Sequence, residues 1–158
     1  MTKSKNSSRS NPPPTPQQEV LDTSNWQTYR NDKFGFEVKY PKDWSISDGE
    51  FHGLFRLQKS DQSVGITIIS LDPTALEESY CEAYPNDSSR CERFTTSVLT
   101  GIIDWGEDMK NAYILVENPK AEHGFSFNIG LEVLSIETIG EELKKFFRTF
   151  LSTFRFIE

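Results

Sequence analysis

Residues 26–44 read WQTYRNDKFGFEVKYPKDW. Phe34, Phe36, Val38 and Tyr40 alternate with Gly35, Glu37 and Lys39. Successive side chains on a strand point to opposite faces, so a period of two predicts a strand with one buried face. Asn31-Asp32-Lys33 reads as the turn that leads into it from 26–30. Pro41 ends it, because the residue before a proline is driven to extended geometry. Trp44 is expected to fold back over the sheet edge after a short turn.

The same alternation recurs downstream. Residues 51–58 and 64–71 are expected to be strands joined by a hairpin loop at 59–63. Strands are also expected at 94–100 and 102–105 around a bend at Gly101, at 111–117, and at 125–133, where Phe125, Phe127, Ile129, Leu131 and Val133 alternate cleanly. Two helices interrupt this pattern. Asp72 and Pro73 suit an N-cap and a first helical position, and Leu76, Tyr80 and Tyr84 then share one face until 85–89 stops the helix. Thr138 and Glu141 form a capping-box pattern ahead of Ile139, Leu143, Phe146, Phe147, Phe150, Leu151 and Phe154, an apolar stripe at helical spacing. Core packing against a sheet is the expected use of that stripe, rather than a membrane or partner face. The fold class is therefore α+β, a central antiparallel sheet with helices packed on it.

With 158 residues, one domain is expected. Aromatic residues make up 13% of the chain, enough rings to build a core and too many for a disordered segment. The net charge is −7. Residues 1–18 carry +3 through Lys3, Lys5 and Arg9, and subtracting that from −7 leaves −10 for the remainder. An acidic body repels phosphate backbones, so no nucleic-acid partner is expected for the domain. No run approaches the roughly 18–20 apolar residues of a spanning helix. Residues 1–25 read as a Pro/Ser-rich linker or tail, with Pro12, Pro13, Pro14 and Pro16 favouring an extended spacer, and 26–158 as the domain. A spacer at a chain start suggests that a signal or anchor once preceded it. The expected place is then extracytoplasmic, or cytoplasmic if Met1 is the natural start.

Two stretches carry a family likeness. The aromatic–Tyr–turn–FGF–strand–YP–Trp order of 26–44, and the closing FLSTFRF of 150–156, resemble the PsbP-like family, whose type member is an extrinsic subunit of photosystem II. The resemblance implies an α/β/α sandwich and a role in binding or assembly rather than catalysis. It carries over no functional residue, and the start of the chain does not match the photosynthetic protein.

The chemistry-bearing residues are few. Cys81 and Cys91 are the only cysteines, and the connection between them can fold back to bring them into bridging distance. A disulfide is expected, with two reduced buried thiols as the alternative. His52 and His123 lie in no zinc-ligand spacing. Glu77-Glu78 and Glu141-Glu142 are acidic pairs, and Asp104-Trp105-Gly106-Glu107-Asp108 resembles an acidic loop where calcium would fit, although without the ligand spacing of an EF-hand. No phosphate loop, nucleophile elbow or HExxH is present. No residue is assigned to catalysis, a cofactor or a metal, and the chain reads as no enzyme. It is expected to be a monomeric binding or assembly module with an unidentified protein partner, touching a membrane only through an anchor outside this chain. The competing readings are an enzyme whose site is assembled from distant carboxylates and a small-ligand carrier. Thiol titration of denatured, unreduced protein tests the bridge: no reactive thiol is expected, and two would defeat it.

Overall fold

The structure, a computed structural model, describes residues 20–48, 54–71, 80–84, 86–117, 126–135 and 137–157. In chain order the elements are β1 (Gln27–Asn31), β2 (Phe36–Tyr40), β3 (Trp44–Asp48), β4 (Leu54–Lys59), β5 (Val64–Leu71), α1 (Tyr80–Ala83), β6 (Cys91–Thr95), β7 (Thr100–Asp104), β8 (Asn111–Glu117), β9 (Ser126–Val133), α2 (Glu141–Ser152) and β10 (Arg155–Phe156). They form a three-stranded sheet in the order β1-β2-β10 and a seven-stranded sheet in the order β3-β4-β5-β9-β8-β7-β6. Every pairing is antiparallel.

Register explains the core. Ile66 faces Leu131 and Ile68 faces Ile129 across β5 and β9, and Ile114 joins the same row from β8. All of these side chains are buried. Branched pairs stacked on a pleated face are the unit of sheet stability, and here they form its central strip. Helix α2 packs on this face through Phe147, Phe150 and Leu151. The small sheet lies on the same side: Phe36 of β2 meets Phe55 of β4 and Phe127 of β9, and stacks on Phe154 just beyond α2.

An antiparallel sheet covered on one face by a helix is thus present, and α2 is the one helix longer than a single turn among the described residues. Several boundaries differ from expectation. Phe34 sits in the turn at 32–35, and β2 starts at Phe36. Strands β3 and β10, which the alternation did not announce, complete the two sheets. Gly101 is no bend. It lies inside β7, where a Cβ would come within 2.9 Å of the Ile114 side chain and the Leu115 carbonyl, so glycine is needed for close approach to β8. The capping box does not form: α2 starts at Glu141 behind Gly140, with no side-chain cap. Just ahead of the helix the Ile139 amide donates to the Met109 carbonyl at 2.6 Å, and Gly140 is extended. Phe154 is buried beyond the end of α2 rather than within it. Tyr80 and Tyr84, expected to share one helical face, are exposed. The chain is also anchored ahead of Trp26, since the Leu21 amide donates to Thr149 Oγ1 at 2.9 Å. Residues 1–19, Phe51, Asp72, Pro73, Leu76 and Phe125 lie outside the described residues.

Removal of the Phe36 ring empties the contact between the two sheets. Phe36→Ala is expected to cost about 3–5 kcal/mol of unfolding free energy in a denaturant titration. A loss below about 1 kcal/mol is too small for a filled core site and would show that the sheets do not depend on that ring.

Candidate functional site

Cys81 and Cys91 are joined by a disulfide that ties α1 to β6. Cys91 lies opposite Asp104 on β7. The neighbouring Arg90 closes on that carboxylate with two bonds, Nε to Oδ1 at 2.6 Å and Nη2 to Oδ2 at 3.0 Å. Asp104 is only 1% exposed. It also accepts the Gly106 amide at 2.9 Å, and Tyr113 of β8 stands opposite it in the sheet. Burial pushes its carboxyl up, but Arg90, the Gly106 amide and Tyr113 outweigh that and hold it below the ordinary aspartate value. Burial, reinforced by the Asp104 charge, raises Tyr113.

The other face of the same strands repeats the device. Glu92 of β6 takes Arg148 of α2 in a bidentate pair, 2.6 Å and 2.7 Å, and accepts the Trp105 indole N–H at 3.1 Å. Lys144 and Arg148 lie over the Trp105 ring at 5.3 Å and 5.5 Å. Paired bonds to a planar guanidinium fix orientation as well as charge. Both carboxylates therefore hold strand to loop and strand to helix. Asp104, with its oxygens filled and its affinity for protons lowered, is a poor general base.

That arrangement removes Asp104 from the expected acidic loop. Glu107 and Asp108 remain exposed in the turn, and Asp108 accepts the Lys110 amide at 2.9 Å. Gly106 makes the turn possible, with φ +68° and space for no Cβ, which would fall 2.5 Å from the Asn111 carbonyl oxygen. Among the described residues no three His, Cys, Asp or Glu side chains are grouped to hold a metal. Of the other acidic pairs, Glu141 and Glu142 lie exposed in the first turn of α2, with Glu141 3.4 Å from Lys144. His52, His123, Glu77 and Glu78 lie outside the described residues.

A cleft of about 420 Å³ opens between the small sheet and the end of α2, with Thr28, Glu37, Lys39, Ser152, Thr153 and Arg155 in its walls. Its hydroxyls brace the backbone. Thr153 Oγ1 accepts the Lys39 amide at 3.0 Å and donates to the Phe150 carbonyl at 2.8 Å, while Ser152 Oγ donates to the Thr149 carbonyl at 2.6 Å. Arg155 Nη1 caps the helix end, donating to the Ser152 and Phe154 carbonyls at 3.0 Å and 2.7 Å. The cleft is polar and its walls are fixed.

The solution structure of cyanobacterial PsbP (CyanoP) from Synechocystis sp. PCC 6803 superimposes with a TM-score of 0.52 at 16% identity, over 86% of this chain and 95% of that one. The fold is PsbP-like. A crystal structure from Bacteroides thetaiotaomicron VPI-5482 matches with a TM-score of 0.53 at 14% identity, over 85% of this chain. This chain spans about half the length of that one, 49%. Identities this low speak to fold alone. No family model and no curated protein matches the sequence.

Of the residues singled out in the sequence, the structure brings Cys81, Cys91 and Asp104 into one corner. Arg90, Glu92, Tyr113 and Arg148 were not anticipated. Their only local signal is a lone arginine beside a bridged cysteine. Asp104→Asn leaves Arg90 without its charge partner and is expected to cost about 3–5 kcal/mol at neutral pH. The sign follows from the depressed carboxyl: its contribution is full above the unfolded aspartate value of about 3.9 and fades as pH falls through the lower folded value. The deficit of the variant, followed by thermal unfolding, should therefore shrink below about pH 4. A constant deficit down to the acid transition would contradict this.

Proposed function

We propose that the chain is a non-catalytic binding or assembly module that works outside the cytoplasm and acts through its surface, by docking to another protein. One observation carries the reading: the phenylalanine rings that meet between the sheets and α2 lie within the packed interior. Phe36, Phe127, Phe147, Phe150 and Phe154 are all buried, and the half-buried Phe34 packs on the same cluster. An aromatic-lined ligand chamber would need some of these rings free. The two best-held carboxylates, Asp104 and Glu92, are committed to arginines. The PsbP-like fold agrees with a role in assembly, as analogy only.

The disulfide supports an oxidising compartment, since such bonds persist outside the reducing cytosol. Among the described residues no helix is long and apolar enough to cross a membrane. The charge of −7 disfavours nucleic acid as the partner. A small-ligand role has one feature in its favour, the cleft beside Arg155, and its charged, hydroxyl-bearing walls suit a polar molecule rather than an apolar one.

The test is photo-cross-linking of the intact chain in its native envelope, with and without excess unlabelled protein. The expected result is one saturable adduct that the unlabelled chain competes away. No competable adduct, or an activity abolished by removing a pair of carboxylates, would sink the proposal.

A further inference from the structure

The disulfide does more than join α1 to β6. Cys81 follows Tyr80 and Cys91 follows Arg90, so the bridge holds those two side chains together. The Arg90 guanidinium carbon lies 4.1 Å from the Tyr80 ring centre. Tyr80 in turn meets Tyr84, with ring centres 4.9 Å apart and planes tilted by 35°. The Tyr80 hydroxyl is fixed by donating to Asp87 at 2.9 Å, and the Arg90 and Cys91 amides both donate to the Asp87 carbonyl, at 3.2 Å and 2.7 Å. A ladder results, from the buried Asp104 through Arg90 and Tyr80 to Tyr84. Exposure rises along it from 1% at Asp104 to 38% at Tyr80 and 60% at Tyr84.

An exposed aromatic pair held rigid in this way differs from scattered surface rings. Tyrosine loses little side-chain entropy on docking, and tyrosine and arginine dominate the residues that carry interface energy. Prior fixation lowers the ordering cost that a partner would otherwise meet. The face of a tyrosine ring is electronegative and attracts a guanidinium, which is the contact Arg90 already makes with Tyr80. The chain's net charge of −7 draws cationic surfaces toward it.

From these observations we infer that the Tyr80–Tyr84 corner is a docking surface for a protein partner that sets an arginine side chain against Tyr84. This rests on the reading of the chain as a protein-binding module and names the chemistry of the contact.

A blocked Gly-Arg-Gly peptide, titrated into the full-length oxidised chain, serves as the probe, with the ring signals of Tyr84 followed by NMR. Saturable shifts at Tyr84 are expected, with binding about two- to fivefold tighter than for a blocked Gly-norleucine-Gly peptide. Tyr84→Phe should retain the effect and Tyr84→Ala should lose it, both at an exposed position that leaves folding intact. Equal binding of the two peptides, or unchanged binding to Tyr84→Ala, would overturn the inference. The two proposals fail separately. A competable envelope adduct indifferent to Tyr84→Ala defeats the arginine contact and leaves the module reading standing. Absence of any adduct defeats the module reading whatever the peptide does.

Discussion

The Phe36 ring sits where the layers of the molecule meet. It stacks on Phe154 at 5.1 Å between ring centres, and meets Phe127 at 5.3 Å, Phe55 at 5.6 Å and Tyr29 at 6.0 Å. Those partners belong to the chain end beyond α2, to β9 and β4 of the large sheet, and to β1 of the small one. Edge-to-face and offset contacts of this kind add to simple burial and fix relative orientation. The small sheet has only three strands and one of its members is two residues long, so it cannot stand by its own ladder. It is held by the rings beneath it. The cleft beside Arg155 inherits its walls from that docking, since β2 forms one wall and the end of α2 the other.

Charge organises the opposite end of the molecule. Strands β6 and β7 carry an arginine–carboxylate pair on each face, Arg90–Asp104 outward and Arg148–Glu92 toward α2. Each pair ties a different neighbour to the same two strands. Pairs this well sheltered resist screening by salt better than the exposed Arg30–Asp32 contact on β1 does. The disulfide bounds the same corner, and α1 is tied to it by that bridge, by the Tyr80–Arg90 stacking and by the bond from Tyr80 to Asp87.

The sequence announced the interior well and the site poorly. Alternation placed β5, β8 and β9 because burial on one face imposes a period of two on the residues themselves, as in Ala112, Ile114 and Val116. The cysteine pair was legible because only two cysteines exist and their spacing is short. Spacing told that Tyr80 and Tyr84 share a face but not which way the face points. The capping pattern at Thr138 is a local rule, and the helix instead starts behind Gly140, next to a residue bonded to the distant Met109 carbonyl. Asp104 looked like part of an acidic turn because its neighbours in sequence are acidic, whereas its burial depends on an arginine 14 residues away. Glu92 and Arg148 are 56 residues apart, and nothing local marks either one. Short strands such as β10 escape periodicity because two residues cannot display it.

The rings divide into two sets: those of the core are closed to solvent, and those of the disulfide corner are open to it. Paramagnetic relaxation by a soluble gadolinium chelate, read on the aromatic protons, tests this division directly. Strong enhancement is expected at Tyr84, less at Tyr80, and almost none at Phe36, Phe127 and Phe147. Enhancement at Phe127 or Phe147 comparable with that at Tyr84 would reveal an open chamber in place of a packed interior.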